Sequence, residues 1–115
     1  MARNPLPSRG DVWLVSLDPT VGHEVQKTRP AVVVTSDIYN RHNWAVVVMP
    51  LTSHETAEYD QVLVEPPEGG VTSRSVTLPD QIRAVDRRRL VKRLGRVNPK
   101  TLNSIDRSLK IVLDL

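Results

Sequence analysis

Two unbroken apolar runs dominate the chain, 31–35 (AVVVT) and 44–51 (WAVVVMPL), with the polar stretch 36–43 between them. Short continuous runs bounded by turn residues suit strands buried on both faces, so these are read as central strands joined by a polar turn. Upstream, 10–17 (GDVWLVSL) alternates well enough for a half-buried strand. Downstream, 60–65 (DQVLVE) alternates, 66–70 (PPEGG) marks a turn, and 74–78 with 81–85 reads as further strand interrupted by Pro79. Near the end the period changes: Leu102, Ile105, Leu109 and Val112 recur at helical spacing behind an N-cap, Asn98, and a first-turn Pro99. This predicts a C-terminal amphipathic helix of about four turns packed on the strands. Residues 18–30 (DPTVGHEVQKTRP) keep no apolar period and read as a long loop, the kind of segment that often carries function. Strands about ten residues apart with one terminal helix predict a mainly β (α+β) fold, a small barrel or sandwich. The length of 115 residues predicts one domain, with 1–8 as a loose lead-in.

Composition strengthens the β reading. The sequence has 18 Val and no Phe, and Trp13, Trp44, Tyr39 and Tyr59 supply the larger rings. Branched aliphatics lose little rotamer freedom on a pleated surface and more in a helix. Cysteine is absent, which excludes a disulfide scaffold, a thiolate metal site and a cysteine nucleophile, and fits a reducing cytoplasm. No apolar run approaches the ~18 residues of a membrane span, and the first residues lack the apolar stretch of a secretory signal, so a cytoplasmic protein with no membrane partner is expected.

Charge is divided along the chain. Residues 11–82 hold four bases and ten acids, whereas 83–115 hold ten bases and three acids, within a total net charge of +3. The densest part is Arg83, Arg87, Arg88, Arg89, Lys92, Arg93 and Arg96. Clustered guanidinium groups attract phosphate by charge and by forked donor geometry. The same cluster is equally readable as a solvated face paired with the acidic part of the chain.

Several chemistries lack their parts. There is no glycine-rich phosphate loop, no GxSxG, no HExxH and no dinucleotide fingerprint, and His23, His42 and His54 have no metal-ligand spacing. A reaction without metal or cofactor is expected. What remains is Arg29, where the long loop meets the first Val-rich run, and Thr52-Ser53 at the end of the second. If those strands are neighbours, guanidinium and hydroxyls meet at one end of the sheet, where a phosphate could be held. The alternatives are that Arg29 pairs with Glu24 or Asp80, and that Thr52 caps a turn.

The blocks 9–34 (RGDVWLVSLDPTVGHEVQKTRPAVVV), 48–53 (VMPLTS) and 78–86 (LPDQIRAVD) resemble the MazF/PemK family of toxins from prokaryotic toxin–antitoxin systems, in order and over nearly the whole chain. The resemblance implies an SH3-like or CcdB-like barrel, a homodimer, and a ribosome-independent endoribonuclease that cuts single-stranded RNA at a short sequence. It implies that Arg29 of the RP motif and Thr52 of the TS motif form the catalytic pair. The loop bearing His23 and Glu24 would close over the substrate, and Ser53, Asp80 and Gln81 would lie along the RNA path. His23, Val25 and Lys27 fall where the family varies, so they bear on which bases are read. An acidic antitoxin that folds on binding is the implied partner.

The implied chemistry is attack by a ribose 2′-hydroxyl on the adjacent phosphate, giving 2′,3′-cyclic phosphate and 5′-hydroxyl ends. Arg29 suits charge stabilisation and Thr52 orientation of the phosphate. A guanidinium rarely gives up its proton near neutral pH, so a separate base is sought, and His23 is the candidate. Two other readings are carried forward. One is a CcdB-like poison that binds gyrase without cutting nucleic acid, and the other is a basic RNA-binding module without activity.

Overall fold

Among the residues that the computed structural model describes, 6–19, 21–24 and 27–115, seven strands and two α-helices follow one another. They are β1 (Asp11–Ser16), β2 (Thr28–Val33), α1 (Asp37–His42), β3 (Ala45–Ser53), β4 (Leu63–Val64), β5 (Ser75–Thr77), β6 (Arg83–Asp86), β7 (Leu90–Arg96) and α2 (Pro99–Leu113). The strands form one antiparallel sheet in the order β4-β5-β3-β2-β1-β7, and β6 also pairs with β3. Strand β3 is long enough to serve two neighbours. Its first half, Ala45 to Val48, pairs with β6, and its end, Leu51 to Ser53, pairs with β5. The sheet curls around β3 into a half-barrel.

The apolar runs are continuous because both faces of the central strands are covered. Val12, Val32, Met49 and Leu51 point to one face and pack with Val64, Val71, Val97 and Ile105 of α2. Val15, Ala31, Val33, Val46 and Val48 point to the other and pack inside the curl with Leu17, Val85 and Leu90. Alternation of side chains along each strand sorts them this way. Helix α2 starts as expected, with Asn98 Oδ1 accepting from the Thr101 amide at 2.9 Å. Leu102, Ile105 and Leu109 cover the first cluster.

The curl closes by contact of backbones, where the β4–β5 connection presses against β7. A Cβ on Gly95 would stand 2.7 Å from the Gly69 carbonyl carbon and 2.9 Å from the Gly70 amide nitrogen. Gly70 is doubly constrained, with φ +75° and the Leu94 carbonyl oxygen 2.2 Å from its missing Cβ.

Four expectations need correction, and one strand had none. The polar turn at 36–43 contains a short helix, α1, capped by Ser36 Oγ accepting from the Tyr39 amide at 3.1 Å. It shows no apolar stripe because the residue it buries is Asn40, whose side chain accepts from Thr35 Oγ1 and donates to the Thr35 carbonyl. Strand β2 begins at Thr28, so Arg29 lies inside a strand and the loop is shorter than 18–30. The strands expected at 60–65, 74–78 and 81–85 shrink to β4, β5 and β6, with a single turn of 3-10 helix at Pro79–Gln81. The basic stretch hides β7, an edge strand whose exposed Val91, Lys92 and Arg93 give no alternation to detect. Val112 is 37% exposed, because the last turn of α2 stands clear of the core that the helix covers earlier. Of the loose lead-in, residues 1–5 lie outside the described residues; Pro7 is buried and the Ser8 amide donates to Asp11 Oδ2 at 2.8 Å.

Candidate active site

Strand register carries Arg29 and Thr52 to the same end of the β2–β3 pair. The pairings Ala31–Pro50, Val32–Met49 and Val33–Val48, carried two residues further, set Arg29 against Thr52. By alternation Arg29 shares the face of Ala31 and Val33, and Thr52 shares that of Val48, so both stand on the inner face of the curl at its end. The ladder stops just before them. The Val34 amide donates to the Val47 carbonyl, the register runs on through Val32–Met49 to Ala31–Pro50, and at the next step Pro30 has no N–H to offer Leu51. Both residues are half-buried, and Thr52 is paired with Val76 in the sheet, so it caps no turn.

A cleft of about 180 Å³ is lined by Leu17, Glu24, Pro50, Asp80, Gln81, Ile82 and Arg83, and by neither Arg29 nor Thr52. Three expected site residues, Glu24, Asp80 and Gln81, thus share one cavity, and Pro50 connects it to the Thr52 strand. The Pro79–Gln81 turn delivers Asp80 and Gln81 because β5 and β6 both run along the β3 edge, and the chain must step between them at this point. Glu24 comes from the opposite side, at the end of a turn in which the Val21 amide donates to its Oε1 at 2.5 Å. His23 is exposed in the same turn and is not part of the cleft lining. Ser53 follows Thr52 and so faces the other way, where its hydroxyl lies 2.8 Å from Ser73 Oγ. Val25 lies outside the described residues. The cleft residues without a chemical signature in the sequence are Leu17, Pro50 and Ile82. Arg83 was visible only as one member of a basic run.

That run is largely engaged within the chain. Arg93 and Arg96 both reach Asp11 Oδ1, at 3.3 and 3.2 Å, where Trp13 Nε1 also donates to Oδ2. Arg88 pairs with Asp86 at 3.0 Å. The side-chain and backbone hydrogen bonds from Arg88 hold the Asp86 carboxyl down at about 2, and the carboxylate raises the Arg88 guanidinium in turn. Arg83 and Arg89 donate to backbone carbonyls. Of these five arginines, Arg93 and Arg96 pair with the acidic part of the chain, while Arg88 finds its partner inside the basic third and Arg83 and Arg89 use backbone carbonyls. Lys92, Lys100, Arg107 and Lys110 remain exposed on the same third of the chain. Among the described residues no group of three or more His, Asp or Glu side chains is arranged to hold a metal ion.

Residues 8–113 match the model of the PemK-like, MazF-like toxin of type II toxin–antitoxin systems. The chain belongs to this toxin family. It is 36% identical over 113 residues to endoribonuclease MazF9 of Mycobacterium tuberculosis, covering 93% of this chain and 96% of that one. It is 39% identical over 107 residues to endoribonuclease PemK of Escherichia coli, covering 91% and 80%. Among solved structures, MazF of Deinococcus radiodurans superposes with a TM-score of 0.83 at 27% identity, covering 96% of this chain and 99% of that one. A mycobacterial endoribonuclease in complex with its cognate antitoxin gives 0.79 at 28%, covering 95% and 96%. The mainly β half-barrel with a C-terminal helix is thus the fold of MazF toxins, and the relatives of this chain are endoribonucleases.

Proposed function

We propose that this MazF-like toxin is a sequence-specific endoribonuclease acting on single-stranded RNA in the cytoplasm, with Arg29 and Thr52 as its catalytic pair. The observation that supports this reading is the β2–β3 register, which carries a guanidinium and a hydroxyl to the same end of one sheet face, two residues beyond Pro50 of the cleft lining. The 2′-oxygen of one ribose bonds to the adjacent phosphorus as the P–O5′ bond breaks. The 2′-hydroxyl loses its proton to a base, and the departing 5′-oxygen gains one. Products are a 2′,3′-cyclic phosphate and a 5′-hydroxyl. Between them the phosphorus carries five oxygens and extra negative charge. Arg29 stabilises that charge through fixed donors, and Thr52 orients a phosphate oxygen. Glu24, Asp80 and Gln81 contact the unpaired bases or sugars on either side, since single-stranded RNA exposes base edges to side-chain hydrogen bonds. His23 in the adjoining turn is the candidate base, because imidazole is the side chain suited to proton transfer near neutral pH. Ser53, on the opposite face of β3, serves an RNA path that passes around the strand end.

The working molecule is a homodimer, and its inhibitor is an acidic antitoxin segment drawn to the surviving positive surface of the last third and to the cleft. No helix among the described residues is long and apolar enough to cross a membrane. The test incubates wild type and Arg29→Ala with a long single-stranded RNA in EDTA and sequences the new 5′-hydroxyl ends. Cuts at one recurring short sequence in wild type, lost in the variant, support the reading. A folded, antitoxin-free wild type that makes no cuts overturns it.

A further inference from the structure

The root of the 18–27 loop is not closed by the ladder that should close it. Leu17 donates to the Lys27 carbonyl at 2.9 Å, as the next rung of β1–β2 would require. The return bond is missing, because the Lys27 amide turns to Asp18 Oδ1 at 2.9 Å and its backbone sits at φ +65°. The Leu17 carbonyl is left without a rung, and Arg83 Nη1 takes it at 3.0 Å from β6, across the curl. On the other edge of β1 the partner strand runs out, since β7 pairs with Val15 through Leu90 and begins there. Arg89, the residue before Leu90, continues the pairing with its side chain: Nη1 donates to the carbonyls of Ser16 at 3.2 Å and Asp18 at 2.5 Å. Three successive carbonyls are therefore held by two guanidinium groups, from the two edges of one strand end. Leu17 is buried, where an unpaired carbonyl is costly, and at all three a charged donor makes a stronger bond than an amide.

We propose that Arg83 and Arg89 are positioning residues, holding the root of the loop so that its turn presents Glu24 to the cleft. The proposal rests on the ribonuclease reading for its effect on RNA, but not for the clamp itself. The alternative use of the same side chains is direct contact with RNA phosphates. The two uses differ in amide exchange at the loop root and in the salt dependence of RNA binding.

The experiment compares wild type with Arg89→Met, Arg89→Lys, Arg83→Met and Arg83→Lys. Amide hydrogen exchange without RNA reads the clamp: the Leu17 and Lys27 amides exchange at least tenfold faster in the Met variants, while the amides of the β2–β3 ladder keep their protection. Cleavage of an RNA carrying the recognised sequence falls on the order of ten- to a hundredfold in kcat/KM, and Lys, which reaches a single carbonyl, restores part of both effects at position 89, where Arg spans two carbonyls, and most of both at position 83, where Arg holds one. Binding of the same RNA with a 2′-deoxy sugar at the cut keeps its salt dependence, because a positioning residue releases no counterion from phosphate. Unchanged exchange at Leu17 and Lys27 overturns the clamp. A salt slope reduced by about one per arginine overturns the positioning role in favour of phosphate contact. Where a Met variant does not fold, the Lys variant carries the comparison. Faster loop exchange in a protein whose wild type cuts no RNA would leave the clamp standing and remove the ribonuclease reading.

Discussion

Replacing Gly95 by alanine tests how the half-barrel closes. The added methyl group would sit 2.7 Å from Gly69 C, 2.9 Å from Gly70 N and 3.0 Å from Gly69 O, all backbone atoms of the β4–β5 connection. Flexible side chains yield to such a group, whereas backbone held in a turn does not, so either β7 or the connection must move. Overpacking in a close-packed region costs typically ~1–3 kcal/mol, and a contact made wholly with backbone belongs at the upper end, about 3 kcal/mol. At this chain length each kcal/mol corresponds to roughly 4 °C in Tm, giving a loss of about 12 °C. Gly22→Ala is the control. Nothing lies within 4 Å of its missing Cβ, but its φ is +61°. The cost there is conformational only, about 1 kcal/mol or 4 °C. Thermal unfolding followed by circular dichroism, at one fixed protein concentration, measures both. A Gly95→Ala protein melting within about 3 °C of wild type, or one no worse than Gly22→Ala, would refute closure by backbone contact.

Thr52→Val keeps the shape of the side chain and removes its hydroxyl, and cleavage should fall on the order of ten- to a hundredfold with binding of uncleaved RNA retained; retained activity would remove Thr52 from the catalytic pair. His23→Ala should lower cleavage about a hundredfold if the imidazole moves a proton, and a rate within about threefold of wild type removes it from the mechanism. An RNA with one 2′-deoxy sugar at the cut should bind and stay intact, and EDTA should leave cleavage of the all-ribose substrate unchanged; a cut deoxy substrate would sink the 2′-hydroxyl mechanism. The Asp86 carboxyl, followed by NMR, should titrate at about 2, below its ordinary value of 3.8. In Arg88→Ala it should move back towards that value. Because its pKa is lowered by folding, the interaction is fully present above pH 3.8 and fades as pH falls through about 2, so it contributes no pH dependence near neutrality.

The sequence by itself determined the elements whose signal is local. The Val-rich runs became β2 and β3 because apolar side chains on both faces of a strand can only be buried. The Asn98-Pro99 start and the Leu102, Ile105, Leu109 spacing became α2 because caps and helical periodicity are properties of neighbouring residues. Arg29 and Thr52 were nameable from position and from the RP and TS motifs, and Glu24, Asp80 and Gln81 from the family-like blocks 9–34 and 78–86, as residue types only. Tertiary structure decided what they do together. Register, set by the pairing of Ala31 with Pro50, put Arg29 and Thr52 at the same end of one face and turned Ser53 away, and no local pattern carries register across twenty residues. The 83–96 region read as charge, yet its arginines were assigned by Asp11, Asp86 and the carbonyls of Ser16, Leu17 and Asp18, partners up to 85 positions away in sequence. An exposed edge strand such as β7 and a polar helix such as α1 leave no apolar period, because neither turns a full face to the core. Their existence follows from backbone hydrogen bonds that only the folded neighbours supply.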